Sequence, residues 1–95
     1  MPKAYIIARV TVHDGEAYGR YAALAPVAMQ KYGARVLARG GRCEALEGEA
    51  RARNVILEFD DYETAKAYFH SPEYQEARAH RLGAADFDLT LVEGV

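Results

Sequence analysis

Residues 54–63 read Asn54-Val55-Ile56-Leu57-Glu58-Phe59-Asp60-Asp61-Tyr62-Glu63. The first six form a compact apolar run interrupted by one carboxylate, which suits a central β-strand. Asp60 followed by Glu63 has capping-box spacing, with Asp in the Ser/Thr role, and predicts a helix carrying Tyr62, Ala65 and Phe69 on one side. A second helix start follows at Ser71-Pro72-Glu73: a hydroxyl cap, proline at the first helical position and an acid in the first turn. That helix is expected to run to about Arg81 or Leu82 and stop at Gly83. Asp86 to Val92 then alternates as a last strand.

On the N-terminal side, Ala4 to Val12 alternates and is rich in Ile, Val and Tyr, a strand pattern. Asp14 has the position and chemistry of an N-cap. Apolar residues at Ala17, Tyr21, Leu24 and Ala28, with Tyr18, Ala25 and Tyr32, give helical spacing up to a stop at Gly33. Pro26 falls inside this helix, removes a backbone bond and should kink it near Ala22 to Leu24, as curvature around a sheet or as an opened carbonyl at a pocket wall. Ala34 to Glu47 reads as a long strand with a bulge or bend at Gly40-Gly41. Gly48 to Arg53 reads as a hairpin loop. The order strand, helix, strand, strand, helix pair, strand is the α+β ferredoxin-like βαββαβ arrangement: a four-stranded antiparallel sheet with helices on one face.

Strand parity divides the sheet into two faces. Ile6, Ala8, Val10 and Val12 share a face with Val55, Leu57, Phe59, Phe87, Leu89 and Leu91, all apolar, which belongs under the helices. The other face mixes Tyr5, Ile7, Ile56 and Val92 with Arg9, Glu58, Asp88, Thr11 and Thr90. That mixture is too apolar for water and too charged for a core. It fits a sheet packed on a second sheet, most simply that of another copy in a two-fold homodimer.

Glu58 is the sharpest candidate for chemistry. Paired with Arg9 or Arg39 it stays charged and structural; without a close cation its pKa rises, as suits a general base or acid. Arg39 precedes two glycines that let a ligand or backbone approach closely, so its guanidinium could clamp a carboxylate or enolate. Tyr74, Arg78 and Arg81 share a helical face and, with Tyr18 and Tyr21, could rim a cavity between helices and sheet or simply pack as core. The expected site is therefore Glu58 and Arg39 as catalytic groups, with Tyr21, Tyr74, Arg9 and Arg81 binding substrate. His13, His70 and His80 match no metal spacing and read as solvated. Cys43 is alone, so no internal disulfide forms, and it reads as a small core or interface residue. No nucleotide-loop, CxxC, HExxH or GxSxG motif occurs.

The 95 residues are expected to form a single domain, 1–95, that buries roughly two thirds of its unfolded surface. Twelve basic and fourteen acidic side chains give a formal charge of -2, which does not favour nucleic acid or an anionic membrane as partner. No window approaches the ~20 apolar residues of a spanning helix, and Met1-Pro2-Lys3 leads into a strand rather than a signal sequence. A cytoplasmic protein is expected.

Five strings in fixed order, Arg39-Gly40-Gly41, Glu47-Gly48, Leu57-Glu58-Phe59, Ser71-Pro72-Glu73-Tyr74-Gln75 and Val92-Glu93-Gly94-Val95, together with Asp14, Tyr18, Tyr21 and Arg81, resemble the DUF1330 family. The resemblance runs from Ala4 through Val95. Gly15 and Asp60 depart from it, standing where the family often has proline at helix starts. It implies the dimeric α+β barrel superfamily, in which two ferredoxin-like subunits pack sheet to sheet. Relatives at that level include cofactor-free monooxygenases, lactone isomerases and haem-binding proteins, with pockets between sheet and helices. The implied function is cofactor-free monooxygenation or isomerisation of a small organic or aromatic acid, with no cofactor or metal. A non-catalytic binding or sensing module and a purely structural dimer are the alternatives.

Overall fold

A computed structural model describes residues 2–95. The elements follow in the order β1 (Ala4–Val12), α1 (Gly15–Lys31), β2 (Arg35–Arg39), β3 (Arg53–Phe59), α2 (Tyr62–His70), α3 (Pro72–Arg81) and β4 (Ala85–Glu93). The strands form one antiparallel sheet in the order β2-β3-β1-β4. Together with the helices this is the α+β ferredoxin-like fold. β1 lies between β3 and β4, with Ile6 opposite Leu57 on one side and Leu91 on the other.

The core forms where the predicted apolar parity meets the helices. Ile6, Val10, Leu57 and Phe59 are buried against Tyr21, Ala25 and Ala28 of α1, Ala65 and Tyr68 of α2, and Tyr74 and Ala77 of α3. Alanines at the helix contacts let those backbones approach the sheet closely, while the rings fill the space between. Phe87, Leu89 and Leu91 are only half-buried because β4 is an edge strand, and Val12, at the end of β1, is exposed. Among the described residues, no helix is long and apolar enough to cross a membrane.

Local chemistry sets the helix ends. The Asp14 carboxylate accepts from the Glu16 and Ala17 amides at 3.1 and 3.2 Å. α2 corrects the expected cap: Asp61, not Asp60, accepts from the Thr64 amide at 2.7 Å, while Asp60 is held by Arg35 at 3.1 Å. Glu63 therefore falls at the second helical position, out of capping-box register, and Tyr62 is exposed while Ala65 and Tyr68 face inward. Ser71 ends α2 and starts α3 with one buried hydroxyl, which donates to the Tyr68 carbonyl (2.7 Å) and accepts from the Tyr74 amide (3.1 Å). α1 stays helical through Pro26.

The long strand expected from Ala34 to Glu47 stops at Arg39. Gly40 takes a left-handed φ of 64°, still donates to the Asn54 carbonyl at 2.9 Å, and turns the chain away from β3. A Cβ at Gly40 would collide with the Arg53 guanidinium. Beyond it β3 is no longer available as a partner, so residues 41–50 run exposed and unpaired, with Leu46 at 88% exposure. Cys43, expected in a core or interface, is exposed there. The bulge lies earlier than Gly40-Gly41. Arg35 opposes Glu58 and Val36 opposes Leu57, but Ala38 opposes Ile56 and Arg39 opposes Val55, so Leu37 is the extra residue.

Candidate functional site

Between the sheet and the helices lies a cavity of about 60 Å³. Its walls are apolar and aromatic, built mainly from Tyr21, Phe87, Leu57, Tyr74 and Met29, while Tyr18, Arg39 and Arg53 contribute its polar groups. The enclosed space is well below the ~150 Å³ that admits benzene. Of the two arginines in its lining, Arg39 is exposed and Arg53 half-buried, so they stand on its open side.

The geometry of the polar groups follows from three local features. α1 presents Tyr18 and Tyr21, three residues apart, on one helical face, with ring centroids 5.5 Å from each other. Arg53 begins β3 on the same parity as Val55 and Leu57, so it points under the helices, and its Nε donates to the Tyr18 hydroxyl at 2.8 Å. The Leu37 bulge flips the parity of β2 between Val36 and Ala38, which sends Arg39 to the cavity side opposite Val55 instead of to the open face. Behind the cavity, Arg81 is 5% exposed, stacks on Phe87 at 3.8 Å from its centroid, and donates from Nη2 to the Tyr74 hydroxyl at 3.3 Å. The Tyr74 and Tyr21 hydroxyls are 3.0 Å apart.

Burial first, and then the adjacent Tyr74 phenol, push the Tyr21 hydroxyl well above the usual phenol range. Tyr21 is therefore a proton donor at any physiological pH, not a base. Among the described residues that line the cavity there is no carboxylate and no imidazole. Nor is any group of three or more His, Cys, Asp or Glu side chains placed, among the described residues, to hold a metal ion.

The structure divides the expected site residues between two places. Tyr21, Tyr74, Arg39 and Arg81 lie at or directly behind the cavity. Glu58 and Arg9 do not: both project from the opposite face of the sheet. Glu58 accepts from Arg35 Nε at 2.7 Å and from the Tyr5 hydroxyl at 3.2 Å, so its cation is neither Arg9 nor Arg39. The Arg35 guanidinium, assisted by Tyr5, holds the Glu58 carboxyl below the usual carboxylate range against the opposing effect of desolvation. Arg9 lies 3.9 Å from Asp88 and donates to the Glu49 carbonyl at 3.2 Å. Asp88 and Thr11 also receive Arg51, which folds the end of the 40–52 loop over that part of the open face.

A family model described as a domain of unknown function, DUF1330, matches residues 3–95. The chain belongs to the DUF1330 family. No curated protein matches the sequence. Similar solved structures share the fold of this DUF1330 chain at low identity. A protein of unknown function from Rhodopseudomonas palustris is 21% identical at a TM-score of 0.79, over 99% of this chain and 83% of that one. A dimeric ferredoxin-like protein of unknown function from Jannaschia sp. CCS1 is 14% identical at a TM-score of 0.67, over 96% and 98% of the two chains. SnoaB, a cofactor-independent oxygenase from Streptomyces nogalater, is 14% identical at a TM-score of 0.68, over 97% and 92%.

The group that sequence reading missed in this DUF1330 chain is Arg53, assigned there to the hairpin loop. Its signal was parity: residues 53, 55, 57 and 59 fall on one face once the strand is extended by a single residue.

Proposed function

We propose that this DUF1330 chain is a homodimer joined through the open face of its sheet, and that each subunit uses its cavity to bind a small organic or aromatic acid. The observation that carries the ligand reading is the pairing of phenol hydroxyls with arginines inside an otherwise apolar cavity: Arg53 on Tyr18, and Arg81 on Tyr74 and so to Tyr21. Arg39 and Arg53 at the mouth attract the acid, the rings hold its apolar part, and Tyr21 orients its oxygen. The chemistry this suits is cofactor-free. An enolate stabilised by these donors either reacts with dioxygen, as a monooxygenase substrate would, or is reprotonated at another carbon, as an isomerase requires. Resemblance of fold to a cofactor-independent oxygenase supports the first branch only as an analogy. Glu58 takes a structural role on the far face, as the partner of Arg35.

A second reading, a binding module without turnover, is favoured by one observation: the lining side chains include no proton acceptor among the described residues.

Native mass spectrometry of gently purified protein, followed by calorimetric titration with small aromatic and aliphatic acids, tests the binding reading. The expected result is a dimer that retains or takes up one acid per subunit. Oxygen uptake with the acid that binds separates enzyme from binder. A protein that carries no ligand and takes up none of the acids would overturn the proposal.

A further inference from the structure

The hydrogen-bond directions behind the cavity are determined by what each group can give. Arg81 has only donors, so at 3.3 Å from the Tyr74 hydroxyl it must be giving a proton to that oxygen. Tyr74 is 1% exposed, and its other polar neighbour among the described residues is the Tyr21 hydroxyl. At 1% exposure against 8% for Tyr21, Tyr74 is the less reachable of the two phenols, so the proton without an internal acceptor belongs on Tyr21. Tyr74 therefore donates to Tyr21, and the Tyr21 proton is left for whatever enters the cavity. The same logic holds on the other side: Arg53 Nε donates to the Tyr18 hydroxyl, leaving that proton free as well.

The charges point the same way. Arg81 is buried without a carboxylate partner among the described residues, and its Nε has no acceptor among them. A buried cation left uncompensated is costly unless something of opposite charge comes near. The other titratable or charged groups facing the cavity are Tyr18 beside Tyr21 on α1, Arg39 on β2, Arg53 on β3, Tyr68 on α2 and Tyr74 on α3, and none of them is a carboxylate.

We propose that the cavity selects its ligand in the ionised form: an oxyanion head, whether phenolate, enolate or carboxylate, accepts from the Tyr21 and Tyr18 hydroxyls, with countercharge delivered through those phenols from Arg81 and Arg53. This rests on the cavity-binding reading above and adds the protonation state of what is bound. Arg81 is then a positioning residue, acting through Tyr74 to point the Tyr21 proton. The short relay also explains why a guanidinium sits where no acid meets it.

The test uses three probes of similar size whose oxygen-bearing end enters the cavity while the ring stays at its mouth: 4-nitrophenol, whose anion is coloured, benzoate, and nitrobenzene, which has no ionisable oxygen. Spectrophotometric titration of bound 4-nitrophenol is expected to show its ionisation moved to lower pH by about one unit or more, equivalent to a preference for the anion of about tenfold or more. Tyr21→Phe should abolish most of that displacement and lower nitrobenzene affinity far less than 4-nitrophenolate affinity, and Tyr74→Phe, which keeps the Tyr21 hydroxyl but not its orientation, should remove part of it. Circular dichroism monitors folding, and Tyr18→Phe gives the same comparison if Tyr21→Phe does not fold. Tighter binding of benzoate than of 4-nitrophenolate assigns a carboxylate head; the reverse order assigns a phenolate or enolate head. Binding of 4-nitrophenol with unmoved or raised ionisation overturns the inference and leaves the cavity reading standing. If none of the three probes binds, both fall.

Discussion

Glu58 lies between Leu57 and Phe59 in sequence, and those neighbours alone suggest a dry, reactive setting. Its register gives it a different one. Opposite Tyr5 on one side and Arg35 on the other, it accepts from both and stays ionised. The sign of its pH dependence follows from its lowered pKa, which Arg35 chiefly causes. The stabilisation is complete above the unfolded carboxylate value, about 4.3, and is lost as pH falls through the lower folded value. Glu58→Gln should therefore lower the melting temperature by more at pH 7 than at pH 3, with cavity binding retained. Thermal unfolding at the two pH values checks this; equal losses at both would mean that the ionised carboxylate is not the source of the stabilisation. That Glu58 carries a cation was legible from its residue type, but which cation was not, because Arg35 meets it only through a register set across two strands.

Among the elements, the long stretches were the legible ones. The alternation of β1 and β4, the apolar spacing of α1 and the Ser71-Pro72 helix start depend on residues close in sequence, and all three form as read. The segment after Gly40 was not legible. Arg42-Cys43-Glu44-Ala45 alternates like a strand, yet a strand exists only where a neighbour supplies hydrogen bonds, and β3 is already left behind. The bulge was hidden for the same reason, since Leu37 carries no mark of being the unpaired residue. It nonetheless decides the site. Deleting Leu37 would close the bulge yet keep Arg39 opposite Val55, so the test is at the side chain itself: Arg39→Ala should weaken binding of an anionic probe by about tenfold, the scale of one charge-assisted hydrogen bond. Calorimetry on the Arg39→Ala variant, with circular dichroism to confirm folding, measures it; unchanged affinity would remove Arg39 from the site.

At the scale of the whole molecule the chain is a slab measuring 37 × 33 × 17 Å, two layers thick, with helices on one broad side and bare sheet on the other. Arg51 covers the polar end of that bare side by pairing with Asp88 and Thr11, which leaves Ile7, Ile56 and Val92 near Tyr5 and Glu58. Val92 is 43% exposed. If this is the seam between two copies, Ile7→Glu buries an unpaired carboxylate there in both subunits, and sedimentation should report half the mass with the secondary structure unchanged. An unaltered mass would place the seam elsewhere. The parity of the strands makes this face readable from sequence; its partial covering by Arg51 is not, because that contact spans 37 residues to Asp88.

The exposed 40–52 loop separates β1 and β2 from β3 and β4, yet the sheet order β2-β3-β1-β4 alternates between these two pairs. Every strand-to-strand ladder joins one half of the chain to the other, and neither half contains two strands that bond each other. Half a molecule therefore has no sheet to form. Folding must knit both halves at once, without a stable half-way species, and a protease nick in the loop would leave two interleaved fragments that hold together or come apart only as a pair.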